Sequence, residues 1–587
     1  MGKIFKYLKR NEWYMIALSI ITVVGQVYLT LKIPDFMADI TRLVQTEGSD
    51  MRDILVAGGW MLACSIGVMV LAVTTGFFAA RVATTLAKEL RQRVFDKTLS
   101  FSMAEINKFS TASLITRSTN DITQIQTIFA MGMQVMIMAP ILAVWAIIKI
   151  LGRGTEWSIA TAVAVAVLLV AIGIVIVFAL PKFQVIQQLT DNLNRIIREH
   201  LIGVRVVHAY NAEKYQAAKF EEANLEAMKT NMFVNQIMAL TMPVIQLIMQ
   251  GLTLSYYIIG AYLIYHAVLA DKIDIFAKMV VFSGYGIQVI MAFMMLAMTF
   301  IMLPRAVVSA KRIGEVLETP LTINDGTLME SPKHLKGEIE FKNVSFRYPD
   351  AEEAVLENIS FTAKKGQTVA FIGSTGSGKS TLINLIPRFY DVTSGEVLVD
   401  GVNVKEYKQS ALLNKIGYVS QKAILFTGTV SSNVDFGQTH QENMTESDIK
   451  RAIEIAQGKE FVEKMEGDYE ASIAQGGTNV SGGQKQRLSI ARAIGRKPEI
   501  FIFDDSFSAL DYKTDRILRS VLKKETAGST NLIVAQRIGT IKNADKIIVL
   551  DEGKMVGEGT HKELLKTCQT YQEIAYSQLS KEELDHE

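Results

Sequence analysis

The stretch Ala370-Phe-Ile-Gly373-Ser-Thr-Gly376-Ser-Gly378-Lys379-Ser380-Thr381-Leu-Ile-Asn-Leu-Ile386 decides the fold of this chain. It reads as an apolar strand, a glycine-rich turn and a helix, the context in which a G-x-x-x-x-G-K-S pattern cradles phosphate. Gly373, Gly376 and Gly378 let backbone N–H groups converge on an anion, and the helix N-terminus adds positive potential. Lys379 reaches toward terminal phosphates and Ser380 offers a hydroxyl to Mg²⁺. Ser374, Thr375, Ser377 and Thr381 complete the expected nucleotide-binding set.

Two further stretches extend this reading. Ile500-Phe-Ile-Phe503 is an apolar strand that ends in Asp504, a carboxylate suited to hold Mg²⁺ directly or through water. Loop and strand together predict a nucleoside triphosphate site. Between them, Val480-Ser481-Gly482-Gly483-Gln484 opens a helix running to about Ile494. Ser481 is a natural N-cap, and the small residues behind it leave a helix N-terminus bare for an anion.

Upstream the composition is different. A mean hydropathy of +0.23 and 49% hydrophobic residues exclude an ordinary soluble enzyme, while 20% charged residues are too many for a membrane bundle alone. The net charge of +2 gives no reason to expect nucleic acid as a partner. Cys64 and Cys568 suggest no disulfide framework, and the soluble part fits a reducing compartment.

Six apolar stretches of spanning length centre on residues 13–33, 54–78, 128–150, 157–180, 240–266 and 277–302. Residues 81–125 and 181–231 each carry seven Lys or Arg in helix-favouring sequence, whereas 34–53 has only Arg42 and Arg52. The positive-inside rule therefore puts both long extensions in the cytoplasm. Met1 to Arg10 suggests a short basic amphipathic helix on the inner leaflet, and Lys149 lies near enough to a span's end to snorkel. No acidic residue falls near the middle of a span, which disfavours ion coupling. Met291, Met294, Met295 and Met298, with Gln246 and Gln250, form a soft lining suited to a promiscuous apolar ligand or, residue by residue, ordinary helix packing and interhelical hydrogen bonding.

The phosphate loop, the Ser-Gly-Gly-Gln signature and the Asp-ended strand, in this order behind six spans, resemble a bacterial ATP-binding-cassette exporter half-transporter. The resemblance implies an α-helical six-span transmembrane domain with long cytoplasmic extensions over residues 1–315 and a linker over 316–336. An α/β P-loop nucleotide-binding domain with a C-terminal tail fills 337–587. It implies ATP and Mg²⁺ as cofactors and a location in the plasma membrane with the nucleotide-binding domain cytoplasmic. Two chains sandwich two ATP molecules, each between one chain's phosphate loop and the other's signature. It assigns Tyr348 to adenine stacking, Gln421 to sensing Mg²⁺ alongside Ser380 and Asp504, and Ser508-Ala509-Leu510-Asp511 to crosstalk across the dimer. Ala112 to Arg117 and Val204 to Tyr215 are the implied tips that dock on cassettes.

Three positions depart from the family pattern: Val480 stands for the signature's usual leucine, an apolar swap of little consequence, and the other two fall in the catalytic station. A glutamate that polarises the attacking water is replaced by Asp505, one methylene shorter, and a switch histidine by Gln536. Drawing a carboxylate back by about 1 Å costs on the order of 10²-fold in rate. An amide donates to a γ-phosphate but carries no proton or charge at neutral pH. Both changes fall on one chemical step. They resemble the degenerate-site subunit of a heterodimeric multidrug exporter, which binds ATP, hydrolyses it weakly and lends its signature to a non-identical partner. A homodimeric lipid or drug flippase and an ATP-gated channel or sensor are the alternatives.

Overall fold

The computed structural model describes residues 2, 4–46, 48–151, 154–331, 336–437 and 444–578. Met1, Lys3, Pro332 and the tail 579–587, on which parts of the sequence reading fall, lie outside the described residues. The chain divides into two compact units: Met1–Leu99 with Ala112–Thr319, and Ser100–Thr111 with Pro320–Glu587.

In the first unit six helices are long and apolar enough to cross a membrane. Their full extents are Arg10–Gln45, Met51–Leu99, Asn120–Leu151, Thr155–Ala209, Glu213–His266 and Leu269–Glu318. The two longest, of 55 and 54 residues, greatly exceed the roughly 20 needed to span a bilayer, so the expected aqueous extensions are continuous with the spans. The first span packs most closely on the second, the third on the sixth and the fourth on the fifth. Trp157, Tyr256 and Phe282 form a buried aromatic knot, with Thr161 Oγ1 and Tyr256 Oη 2.6 Å apart.

Where the sequence suggests a helix over residues 1–10, the described residues form a 3₁₀ turn at Ile4–Tyr7, and the first span starts at Arg10. Lys9 is extended, and its N–H donates to Glu12 Oε2 at 2.6 Å, which caps the new helix instead of continuing the old. The first span also runs on through Pro34. Gly284 of the sixth span permits this, because a Cβ there would come within 3.0 Å of the Pro34 ring. The longer helix carries Asp35 to Lys149 of the third span (3.2 Å) and to Tyr285 Oη of the sixth (2.7 Å). Lys149 is therefore ion-paired, an arrangement the snorkelling reading did not contain.

In the second unit a six-stranded sheet has the spatial order Lys554–Gly559, Lys546–Asp551, Thr368–Gly373, Thr530–Val534, Ile500–Asp504, Ile416–Val419. Its first pair is antiparallel and the rest parallel. Ile500–Asp504 is buried at every position, as a parallel strand covered on both faces must be, whereas the edge strand Lys554–Gly559 alternates. Phe371 and Phe503, both almost wholly buried, each contribute about 2–3 kcal/mol of apolar burial. A four-stranded antiparallel sheet, Leu356–Ala363, Ile339–Phe346, Ser394–Val399, Val402–Asn403, shares the core around Phe341, Phe361 and Phe371.

The segment Ser100–Thr111 joins this unit through the short helix Met103–Phe109. Asn107 Nδ2 donates to Tyr390 Oη at 3.2 Å, and the Thr322 N–H donates to Glu105 Oε1 at 2.8 Å. The sequence suggests the first tip at Ala112 to Arg117, but these residues of the helix Thr111–Ser118 belong with the spans, and Arg117 bonds Arg312 O and Glu315. At the second tip the turn falls at Tyr210–Ala212, between helices ending at Ala209 and starting at Glu213.

Candidate functional site

The carboxyl ends of the strands Thr368–Gly373 and Ile500–Asp504 flank the central strand Thr530–Val534, so parallel pairing brings their following loops together. Gly376 and Gly378 hold φ of +88° and +91°, conformations that side chains resist. A Cβ at Gly376 would meet nothing within 4 Å, so the face of the turn is open for a ligand.

Lys379 is nine-tenths buried, with its Nζ donating to Gly373 O (2.9 Å), Ser374 O (2.7 Å) and Ser377 Oγ (3.2 Å). Burial pushes its pKa down, against the opposing pull of the Asp505 and Asp504 carboxylates. Its ammonium sits folded into the loop, poised for an anion that supplies a full negative charge.

Ser380 Oγ donates to Asp504 Oδ1 at 2.8 Å. Burial raises the Asp504 pKa, the neighbouring Asp505 charge adds to this, and Ser380 and Lys379 oppose it. A hydroxyl and a carboxylate side by side fit Mg²⁺, which favours oxygen and keeps waters and phosphate oxygens in its shell. Among the described residues no group of three or more His, Cys, Asp or Glu side chains would hold a metal, so the nucleotide would have to complete the shell.

Asp505 follows in the left-handed region, φ +45°, tied by its N–H to Val534 O at 3.0 Å. Its Oδ2 accepts from two amides, Gln421 Nε2 at 3.3 Å and Gln536 Nε2 at 3.0 Å. Burial raises the Asp505 pKa, with the Gln421 and Ser508 hydrogen bonds and the Lys379 and Arg537 charges opposing. Gln421 is thus turned to Asp505 and bonds neither Ser380 nor Asp504. Two donors on one oxygen reduce its capacity to draw a proton from water.

Tyr348 Oη lies 3.0 Å from Thr381 Oγ1, and the ring meets Phe346 and Tyr390 edge to face, 4.9 and 5.2 Å between centroids. This fixes an aromatic ring next to the helix that begins at Lys379.

Ser481 caps Gly482–Gly495 reciprocally: the Gln484 N–H donates to Ser481 Oγ at 3.3 Å and the Ser481 N–H to Gln484 Oε1 at 2.8 Å. Gly482 faces open space, and a Cβ at Gly483 would lie 3.3 Å from Ala509 O, so Val480–Gln484 and Ser508–Asp511 are neighbours. Asp511 caps the next helix through Thr514. Among the described residues no hydrogen bond joins the Val480–Gln484 turn to the Gly373–Ser380 loop of the same chain.

Two contacts escaped the sequence reading. Ser506 Oγ donates to Val419 O at 3.0 Å and buries the turn after Asp505. Gln578, 42 residues beyond Gln536, donates from Nε2 to the Gln536 carbonyl at 2.7 Å. No local pattern marks such a long-range partner.

Residues 13–280 match the family described as "ABC transporter transmembrane region", and residues 356–508 the one described as "ABC transporter". The chain is 38% identical to an uncharacterised ABC transporter ATP-binding protein of Mycobacterium tuberculosis over 521 residues, 89% of this chain and 87% of that one. It is 31% identical to the ATP-dependent lipid A-core flippase of Pseudomonas aeruginosa over 493 residues, 83% and 79% of the two chains. A bacterial Atm1-family ABC exporter solved with ATP bound shares the fold at a TM-score of 0.75 and 22% identity, covering 96% of this chain and 98% of that one.

Proposed function

Because this chain belongs to the ABC transporter family, a multi-pass membrane protein with a cytoplasmic nucleotide-binding domain that couples ATP to export, we propose that it is the hydrolysis-impaired half of a heterodimer. As a half-transporter it works as a dimer. The observation that carries the finer reading is the pairing of Asp505 with Gln536, one too short for its station and the other unable to carry charge. In this reading the site formed by Tyr348, Gly373–Thr381, Gln421 and Asp504 holds ATP with Mg²⁺ on Ser380 and Asp504. Gln421 senses occupancy, Val480–Gln484 caps the partner's ATP and Ser508–Asp511 carries crosstalk. Residues 1–315, 316–336 and 337–587 serve as membrane domain, linker and cassette.

The proposed cargo is an amphiphilic small molecule. A cavity of about 170 Å³ among Met131, Met136, Met298 and Met302, with Gln134 and Thr299 as polar points, supports it. Four thioethers adapt to varied apolar shapes. Of the methionines singled out from sequence only Met298 lines this cavity. Likeness to a lipid A-core flippase favours a second reading, a homodimer moving a lipid-linked cargo.

The test is asymmetric. In the purified two-chain complex, Ser481→Ala or Gly482→Asp should nearly abolish ATPase activity, while Asp505→Asn should cost far less. Equal losses would show that both sites hydrolyse alike, as in a homodimer.

A further inference from the structure

We infer that Gln578 is a positioning residue that holds the Gln536 loop in register with the phosphate loop. Its side-chain amide spans that loop at two points: Nε2 donates to the Gln536 carbonyl at 2.7 Å, and Oε1 accepts from the Ile538 N–H at 2.9 Å. One amide used as donor and acceptor on residues two apart copies the pairing of a neighbouring strand, where a loop has none.

A clamp is only as firm as what carries it. Gln578 ends the helix Gln569–Gln578, whose Tyr571 and Ala575 are fully buried against Ala370, Ile372, Ile547 and Val549. Tyr571 Oη is also 2.6 Å from His561 Nδ1, so the ring is fixed at its polar end as well. Ala370 and Ile372 belong to the strand that feeds Gly373. The helix therefore refers Gln536 to the strand that presents the phosphate loop. Ala535 and Ile538, on either side of Gln536, lie in the same apolar cluster, leaving the Gln536 side chain free to turn to Asp505.

Without the clamp the Gln536 carbonyl and Ile538 N–H turn to water, and the side chain samples positions away from the terminal phosphate. Contact with a diphosphate is unaffected. The inference rests on the proposed reading only in taking Gln536 as the contact to the γ-phosphate, and it holds whether the partner chain is identical or not.

The test uses the assembled full-length transporter in lipid nanodiscs, photolabelled on ice with 8-azido-ATP. Labelling is read in this chain alone, and protection by AMP-PNP is compared with protection by ADP. Gln578→Met, which keeps length and helix propensity but neither hydrogen bond, should raise the half-protecting AMP-PNP concentration by about threefold to tenfold, the range of a lost hydrogen bond, and leave ADP unmoved. Gln578→Glu, which keeps the acceptor for the Ile538 N–H, should fall between. In a Gln536→Ala background Gln578→Met should add nothing, since the two act as one unit. Equal shifts for both nucleotides, no shift, or the same shift in the Gln536→Ala background would overturn the positioning role. A Gln536→Ala variant with unchanged selectivity would overturn the γ-phosphate contact itself, and the positioning role with it.

Discussion

Gln536 Nε2 donates to Asp505 Oδ2 at 3.0 Å, so the two catalytic positions that depart from the family pattern are partners in one hydrogen bond. A shortened, buried acid accepts from an uncharged amide whose own residue is exposed. Neither is a loose remnant: Asp505 also accepts from Gln421, and the Gln536 backbone is tied to Gln578.

Restoring this pair should restore hydrolysis. In the two-chain complex, with the opposite site silenced by Ser481→Ala, Asp505→Glu combined with Gln536→His should raise single-turnover ADP formation at this site by about 10²-fold. Each single change should give much less, because groups acting on one step are not additive.

The glycines of the phosphate loop should separate by space. At Gly378 a Cβ would lie 2.7 Å from Leu356 Cδ2 and 3.0 Å from Val355 O, whereas at Gly376 it would meet nothing. Both have positive φ, so Gly376→Ala should cost about 1 kcal/mol and Gly378→Ala about 2–3 kcal/mol. Thermal unfolding of the transporter without nucleotide reads the difference.

Acidification should act on the two carboxylates in opposite ways for stability and for ligand. Burial raises the pKa of Asp504 and Asp505, so the fold disfavours their charged forms. Their cost to the nucleotide-free fold is present above the raised values and relieved as pH falls through them, so stability gains a contribution on acidification. Over the same window, above the ordinary carboxylate range, Mg²⁺-dependent ATP binding should weaken as Asp504 takes up its proton. Asp504→Asn should remove its share of both trends, read by thermal unfolding and nucleotide titration across pH.

The ion pair between spans should show strong coupling. Lys149 and Asp35 are 29% and 16% exposed, and Asp35 also accepts from Tyr285. Asp35→Asn leaves a half-buried ammonium without its counter-charge and should cost about 1–3 kcal/mol. Adding Lys149→Met should recover much of that loss. Thermal stability of the four variants in detergent closes the cycle.

The nucleotide loop, the Asp504 strand and the Ser481 cap were legible because their chemistry is fixed by local spacing. The six spans were legible because bilayer thickness sets their length. The sequence suggests the tip between the second and third spans about nine residues later than the helix Met103–Phe109, since charged helix-favouring sequence runs through both candidates. Ser102 and Glu105 held the signal: a capping box, with the Ser102 N–H donating to Glu105 Oε2 at 2.7 Å, marks a new helix there. Asp35 was missed as a partner for Lys149 because Pro34 reads as the end of a span, and only the gap at Gly284 lets the helix pass. Gln578 had no local signature at all.

The inclusion of Ser100–Thr111 in the cytoplasmic unit carries a consequence for biogenesis. Its partners Thr322 and Tyr390 stand 217 and 283 residues further along the chain. The ribosome therefore delivers this strap long before the surface it completes, and it reaches the cytoplasm only if the first two spans insert in the right orientation. A hairpin inserted the other way would leave Tyr390 without Asn107 and the Thr322 N–H without Glu105, so the cassette surface is completed only when the membrane topology is right.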